Sequence, residues 1–251
     1  MISSRFLTAT LVLFCLQPLR ATAASIEDFS GYKAGEVFMP GEVFPAKGTG
    51  WLDGWRSANS YVQVTGSFVT TKPLVDAGPY LAVSIDSIVG EHPSNPSGTV
   101  TLPYRPPTKP FKLIFKFRPE TSVQTVRYYL FDNDVRIAGP GPLASWLITS
   151  KDGQWQLLNG EGNGVPSEMI ATGLPVVAGT TYSFAVEVNP QARTWNVTIT
   201  DGKRSVTEKN LYFRNTAYTP DRCLVFGANE TSAPALGLNM RFAIDSISIQ
   251  P

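Results

Sequence analysis

TTYSFAVEVNPQARTWNVTITDG, at 180–202, reads as two long strands joined by a tight polar turn. Tyr182, Phe184, Val186 and Val188 share one face of the first strand, and Trp195, Val197 and Ile199 share one face of the return strand. Side chains alternate across a strand, so this period of two marks a half-buried antiparallel hairpin. Similar segments recur on either side, at 61–64, 80–85, 99–102, 111–118, 123–131, 146–149, 155–158, 224–227 and 240–249. No window of helical length carries a 3.6-residue apolar stripe closed by caps. A mainly β chain of 251 residues without fixed-period repeats predicts a sandwich or barrel. Its 21 glycines and 20 prolines fit many turns rather than disorder, because 43% of the residues are hydrophobic. The most loop-like stretches, 90–98, 103–110 and 160–166, are too short to read as interdomain linkers, so 25–251 is expected to form one domain.

Individual strands show the faces that a two-sheet sandwich needs. In FKLIFKF, Phe111, Leu113, Phe115 and Phe117 point one way, while Lys112, Ile114, Lys116 and Arg118 point the other. The terminal RFAIDSISI breaks this rule: Phe242 and Ile244 lie on one face, Ile247 and Ile249 on the opposite one. Either a bulge shifts the phase near Asp245, or both faces are partly covered. The segment IEDFSGY, at 26–32, is the expected strand partner for this end of the chain.

The N-terminus predicts the compartment. One positive charge within 1–5, an apolar run over 6–19 and the small residues Ala21-Thr22-Ala23 match a secretory signal over 1–24, cleaved after Ala23 or Ala24. The run is too short to span a hydrocarbon core of ~30 Å, and Pro18 interrupts it, so no membrane span is expected. Secretion, extracellular or periplasmic, follows. Two of the 21 basic residues, Arg5 and Arg20, leave with the signal, so 19 face the 20 acidic residues, a net charge of −1. That balance supplies no global attraction to nucleic acid. Cys15 leaves as well, so Cys223 has no intramolecular partner, and its apolar setting, CLVFGA, reads as core. A Cys/His zinc cluster is excluded because His92 is the only histidine.

The order of Phe29-Ser30-Gly31-Tyr32, then the Gly-rich segment at 50–55, GWLDGW, the DGQW strand at 152–155, the hairpin and the final AIDSISI resembles the concanavalin A-like lectin/glucanase superfamily, especially its secreted laminin G-like members. The resemblance spans nearly all of the mature chain. It implies an all-β, two-sheet antiparallel jelly-roll sandwich, glycan or polysaccharide as partner, and, in some members, bound calcium. The superfamily also holds glycoside hydrolases and polysaccharide lyases, and fold does not choose among them. The ExDxE strand of laminarinase-type hydrolases, which sets two carboxylates ~5 Å apart, is absent, as are the RTEL, QIH and YFKAG motifs of alginate-lyase-type members. His92 lies in a turn-rich loop without an orienting partner, and no nucleophile elbow accompanies it.

Binding is therefore the leading expectation, with a divergent lyase or hydrolase as the first alternative and a structural extracellular protein without a small ligand as the second. Sugars offer flat CH faces and many hydroxyls, which call for aromatic rings beside planar polar side chains. Trp51 and Trp55, near Asp53 and Arg56, either pack over an end of the sandwich or form a ligand wall. Arg127 and Tyr129 face out together if Tyr128 packs inward, as a sugar contact or as an ordinary polar strand face. Trp195 is expected in the core. Asp132-Asn133-Asp134 reads as an oxygen-rich turn suited to hairpin chemistry. Asp245 could meet Glu27 or Asp28 where the chain ends pair, giving a structural calcium site, or it could cap a bulge.

Overall fold

The computed structural model describes residues 24–60, 62–74, 78–87, 96–135, 143–161, 166–214, 218–231 and 239–251. The proposed signal segment up to Ala23 and His92 lie outside them. Among the described residues there are strands and no helix: β1 (Ser25–Glu27), β2 (Val37–Phe38), β3 (Val43–Phe44), β4 (Trp55–Ser60), β5 (Val62–Val69), β6 (Tyr80–Ser87), β7 (Ser97–Tyr104), β8 (Phe111–Pro119), β9 (Val126–Asp134), β10 (Leu147–Lys151), β11 (Gln154–Asn159), β12 (Glu168–Pro175), β13 (Tyr182–Asn189), β14 (Thr194–Thr200), β15 (Ser205–Tyr212), β16 (Arg222–Glu230) and β17 (Asn239–Gln250). They form two antiparallel sheets. A nine-stranded sheet runs β15-β14-β13-β8-β17-β6-β5-β2 with β1 added on β17, and an eight-stranded sheet runs β12-β11-β10-β9-β16-β7-β4-β3. This is the all-β, two-sheet antiparallel sandwich expected from the sequence.

The hairpin that opened the reading is β13–β14, paired from Ser183↔Thr200 to Asn189↔Thr194. Asn189 closes it, its Oδ1 accepting from the backbone N–H groups of Gln191 and Ala192 at 3.1 and 3.0 Å. The apolar faces of β13, β14 and β8 are buried between the sheets as the alternation predicts, Trp195 included. Phe115 stacks on Phe184 at 4.9 Å and meets Phe226 of the opposite sheet edge-on at 5.3 Å. Each such side chain taken from water contributes ~1.5–3 kcal/mol, and the aromatic pairs add a further ~0.5–1.5 kcal/mol.

A bulge resolves the phase conflict in the last strand. The pairing of β17 with β8 shifts between Asp245 and Ser248, and Ser246 adopts φ 53°. The extra residue lets Phe242, Ile244, Ile247 and Ile249 all face the core. β1 pairs with the far end of β17, Ser25↔Ile249 to Glu27↔Ile247, so the two ends of the described chain close the sheet together. The edge strands β12 and β15 and the strand β4 carry too few apolar positions to stand out in sequence. DND is not a turn: Asp132, Asn133 and Asp134 end β9 and are buried there, because β16 pairs along the whole strand.

Candidate functional site

The outer face of the eight-stranded sheet is built in rows by its register. Gln156, Thr149, Tyr129, Gly227, Thr99 and Ala58 are successive cross-strand partners from β11 to β4. Arg127, Asn229 and Ser97 form the next row toward the start of β9. On the other side, Phe131, Ala144, Leu147, Cys223 and Val225 make a small buried apolar cluster, separate from the main core, with Tyr129 and Leu158 packed against it. Tyr128 is fully buried beneath the sheet, so Arg127 and Tyr129 do share the outer face, both half-buried.

Tyr129 therefore presents an aromatic surface on an apolar footing with a polar rim. Burial raises its phenol pKa, and the charge and hydrogen-bonding contact of Arg127, together with the Asn229 side chain, oppose that rise. The phenol stays protonated at neutral pH and serves as a hydrogen-bonding group, not as a base. Gly227 keeps the sheet flat beside it, since a Cβ there would stand 2.6 Å from Thr99 Cγ2. Two polar atoms of the adjoining row, Arg127 Nε and Asn229 Oδ1, are buried without a hydrogen-bond partner. Thr149 and Thr99 are already committed, donating to the Tyr128 and Ala58 carbonyls at 2.8 and 3.3 Å.

The other expected site residues separate. Trp55 is a correction: it is fully buried in β4, 6.0 Å from Phe29 in a stacked pair, because the pleat that turns Arg56 outward turns Trp55 into the core. Trp51 is half-buried, donates its indole N–H to the Ile26 carbonyl at 3.2 Å, and lines a pocket of about 280 Å³ with Val43, Pro45, Ala46, Leu52 and Asp53. Trp51 bridges to Tyr104, which lies in register with Asp134, while Arg127 begins the same strand; seven residues at ~3.3 Å each put the two positions at opposite ends of the sheet.

The three carboxylates expected to share a cation do not converge, and among the described residues no group of three His, Cys, Asp or Glu side chains is placed to hold a metal. Alternation along the start of the chain turns Glu27 inward, where it accepts from Tyr32 Oη at 2.9 Å and from the Phe29 and Gly48 N–H groups at 3.1 Å each. Burial raises the Glu27 pKa against those bonds. Asp28 points outward to the Ser30 hydroxyl and N–H, which hold its pKa low. Asp245 sits in the bulge, its Oδ1 accepting from Ser246 N–H at 2.7 Å, and burial pushes its pKa up to about 6. The capping reading of Asp245 is the one observed.

A roomier pocket, about 520 Å³, lies on the outer face of the nine-stranded sheet beside Lys112, Glu187, Asn196 and Asn210. Its polar groups satisfy one another: Asn196 Nδ2 donates to Glu187 Oε2 at 3.2 Å, and Asn196 Oδ1 accepts from Asn210 N–H at 2.8 Å. It offers a ligand less than the Tyr129 face does. Asn229 and Gly227 were invisible as site residues in sequence, because only the β9–β16 register brings them beside Tyr129.

No protein-family model matches the chain, and no curated protein does. Solved structures similar to it include lectin II from Ulex europaeus, at 8% identity over 87% of this chain and 99% of that one, with a TM-score of 0.47. A LamA variant from Zobellia galactanivorans in complex with laminaritriose and laminaritetraose is similar at 11% identity over 89% and 97%, TM-score 0.47. The alginate lyase from Klebsiella pneumoniae is similar at 8% identity over 73% and 83%, TM-score 0.44. At these identities the likeness extends to fold alone.

Proposed function

We propose that the protein is a secreted carbohydrate-binding module whose glycan site is the outer face of the eight-stranded sheet around Tyr129. The observation that carries this reading is the grouping of a half-buried aromatic ring with Arg127 Nε and Asn229 Oδ1, two buried polar atoms that lack partners. Buried polar groups are almost always paired, and sugar hydroxyls are both donors and acceptors, so a glycan on Tyr129 toward which the Arg127 and Asn229 side chains turn would supply what the protein leaves out. The signal-like N-terminus supports a location outside the cytoplasm.

A glycan array on the mature chain from Ser25, with and without calcium, tests this, followed by calorimetry on each hit. The expected result is saturable binding without release of product, weakened at least tenfold by Tyr129→Ala and unchanged by Trp51→Ala. New reducing ends or unsaturated products would replace the proposal with an enzyme. Loss of binding in Trp51→Ala alone would move the site to the opposite end of the sheet.

A further inference from the structure

The ladder between β9 and β10 stops at Thr149↔Tyr129. Beyond it side chains take over: the Tyr128 N–H donates to Ser150 Oγ at 2.8 Å, and Thr149 Oγ1 donates to the Tyr128 carbonyl at 2.8 Å. The strands part where backbone pairing ends. At this place lies a pocket of about 270 Å³, lined by Arg127 and Lys151 together with Gln124, Asp152, Gly153 and Thr231. Small-molecule sites run from ~300 Å³ upward, so the pocket suits one substituted sugar rather than a long chain segment.

The charges in this pocket are uneven. Arg127 Nε is buried without a hydrogen-bond partner, and among the described residues no carboxylate forms an ion pair with Arg127 or Lys151. Asp152, the acidic residue in the lining, has its Oδ2 occupied by Gln156 Nε2 at 3.3 Å. It stands in the turn between β10 and β11, where Asp152 and Gly153 adopt φ 53° and 75°, a geometry that fixes the backbone between two short strands. Two cations that line one pocket without an ion-pair partner repel each other and favour an anion between them. A guanidinium binds planar or tetrahedral oxyanions through paired N–H groups, and an ammonium adds a second, movable point charge.

We infer that this pocket is a subsite for an anionic sugar, one carrying a carboxylate or a sulfate ester, with Arg127 and Lys151 as the residues that select it. The inference rests on the carbohydrate-binding reading and specifies the ligand class. Tyr129 supplies the neighbouring surface on which the ring of that sugar, or of the next one, lies.

The test is calorimetry of the mature chain with three soluble polymers, a polyuronate, a sulfated galactan and a neutral β-glucan, at two salt concentrations. Binding of the polyuronate, the sulfated polymer or both, at least tenfold tighter than the neutral glucan and weakening with salt, is expected, and the preferred polymer identifies carboxylate or sulfate as the source of the anion. The double variant Arg127→Gln/Lys151→Gln is expected to lose at least tenfold toward the anionic polymer, with its melting temperature close to that of the parent, since no ion pair among the described residues is lost. Lys151→Gln, at an exposed position, repeats the direction with a smaller loss. Tight binding of neutral glucan without preference for either anionic polymer would overturn the subsite while leaving the carbohydrate-binding proposal standing. Absence of binding to all three would overturn both. Undiminished anionic binding in the double variant would show that the selecting charge lies elsewhere, and would overturn the inference.

Discussion

Asp132→Ala is the substitution with the largest consequence for stability. Asp132 and Arg222 are both fully buried, and Arg222 Nε donates to Asp132 Oδ2 at 2.6 Å. The same carboxylate accepts from Ser145 N–H at 2.8 Å, Ser145 Oγ at 2.6 Å, Trp146 N–H at 3.2 Å and Tyr104 Oη at 3.3 Å. It therefore ties β9 to β16, β7 and the entry to β10. Arg222 in turn donates through Nη2 to the Leu143 carbonyl at 2.8 Å and lies 4.7 Å over the Tyr218 ring. Removing the carboxylate leaves a buried guanidinium without its counter-charge and several donors without an acceptor. Breaking a buried pair in this way costs about 3–5 kcal/mol. For a folded chain of this size that lowers the melting temperature by about 6–20 °C. Asp132→Asn, which keeps an oxygen for the two backbone N–H groups, should fall between Asp132→Ala and the parent. The double variant Asp132→Leu/Arg222→Met should cost clearly less than the two single changes together, because an apolar pair removes both desolvation penalties. Urea denaturation followed by tryptophan fluorescence measures the parent, Asp132→Ala, Asp132→Asn, the double variant and its two singles, Asp132→Leu and Arg222→Met. A loss below ~1 kcal/mol in Asp132→Ala, or a double variant that equals the sum of the singles within ~0.5 kcal/mol, would refute the reasoning.

Further outcomes follow from the pH behaviour and chemistry of single groups. Asp245 titrates at about 6 when folded, against 3.8 for the free side chain, so the native state binds its proton more tightly than the unfolded state does. Its stabilising contribution is full below pH 3.8 and disappears as the pH rises through about 6. Asp245→Asn, which retains the bond to Ser246 N–H, is thus expected to stabilise the fold by ~1–2 kcal/mol at pH 8 and by almost nothing at pH 3.5, as read from urea midpoints; an equal effect at both pH values would count against it. Cys223 is 4% exposed, and burial pushes its thiol pKa up to about 12. It should resist a thiol-specific disulfide reagent in the native protein at pH 8 and react fully in urea, and rapid native labelling would show that the outer apolar cluster is open.

Much of the architecture was legible in local sequence because it depends on alternation alone. The faces of β8, β13 and β14, the inward Tyr128, and the partnership of the chain ends all follow from which residues are apolar and how they are spaced. The phase break at Asp245 was legible as a conflict with two solutions, and the backbone at Ser246 chose the bulge. Trp55 was ambiguous because a tryptophan in a Gly-rich segment serves a core or a ligand equally well until the neighbouring strand is known. Here β4 begins at Trp55 and pairs with β3 through it, and the pleat settles the side.

By itself the sequence determined the layered β architecture and the balance of charge, since periodicity and composition are local or additive properties. Only the tertiary structure decided what those residues do together. Register, a long-range property of strands far apart in the chain, set Asn229 beside Arg127 and Tyr129, buried Asp132 against Arg222, and held Trp51 at the other end of the sheet. A shift of one residue in any of these pairings would have turned each of those side chains to the opposite face.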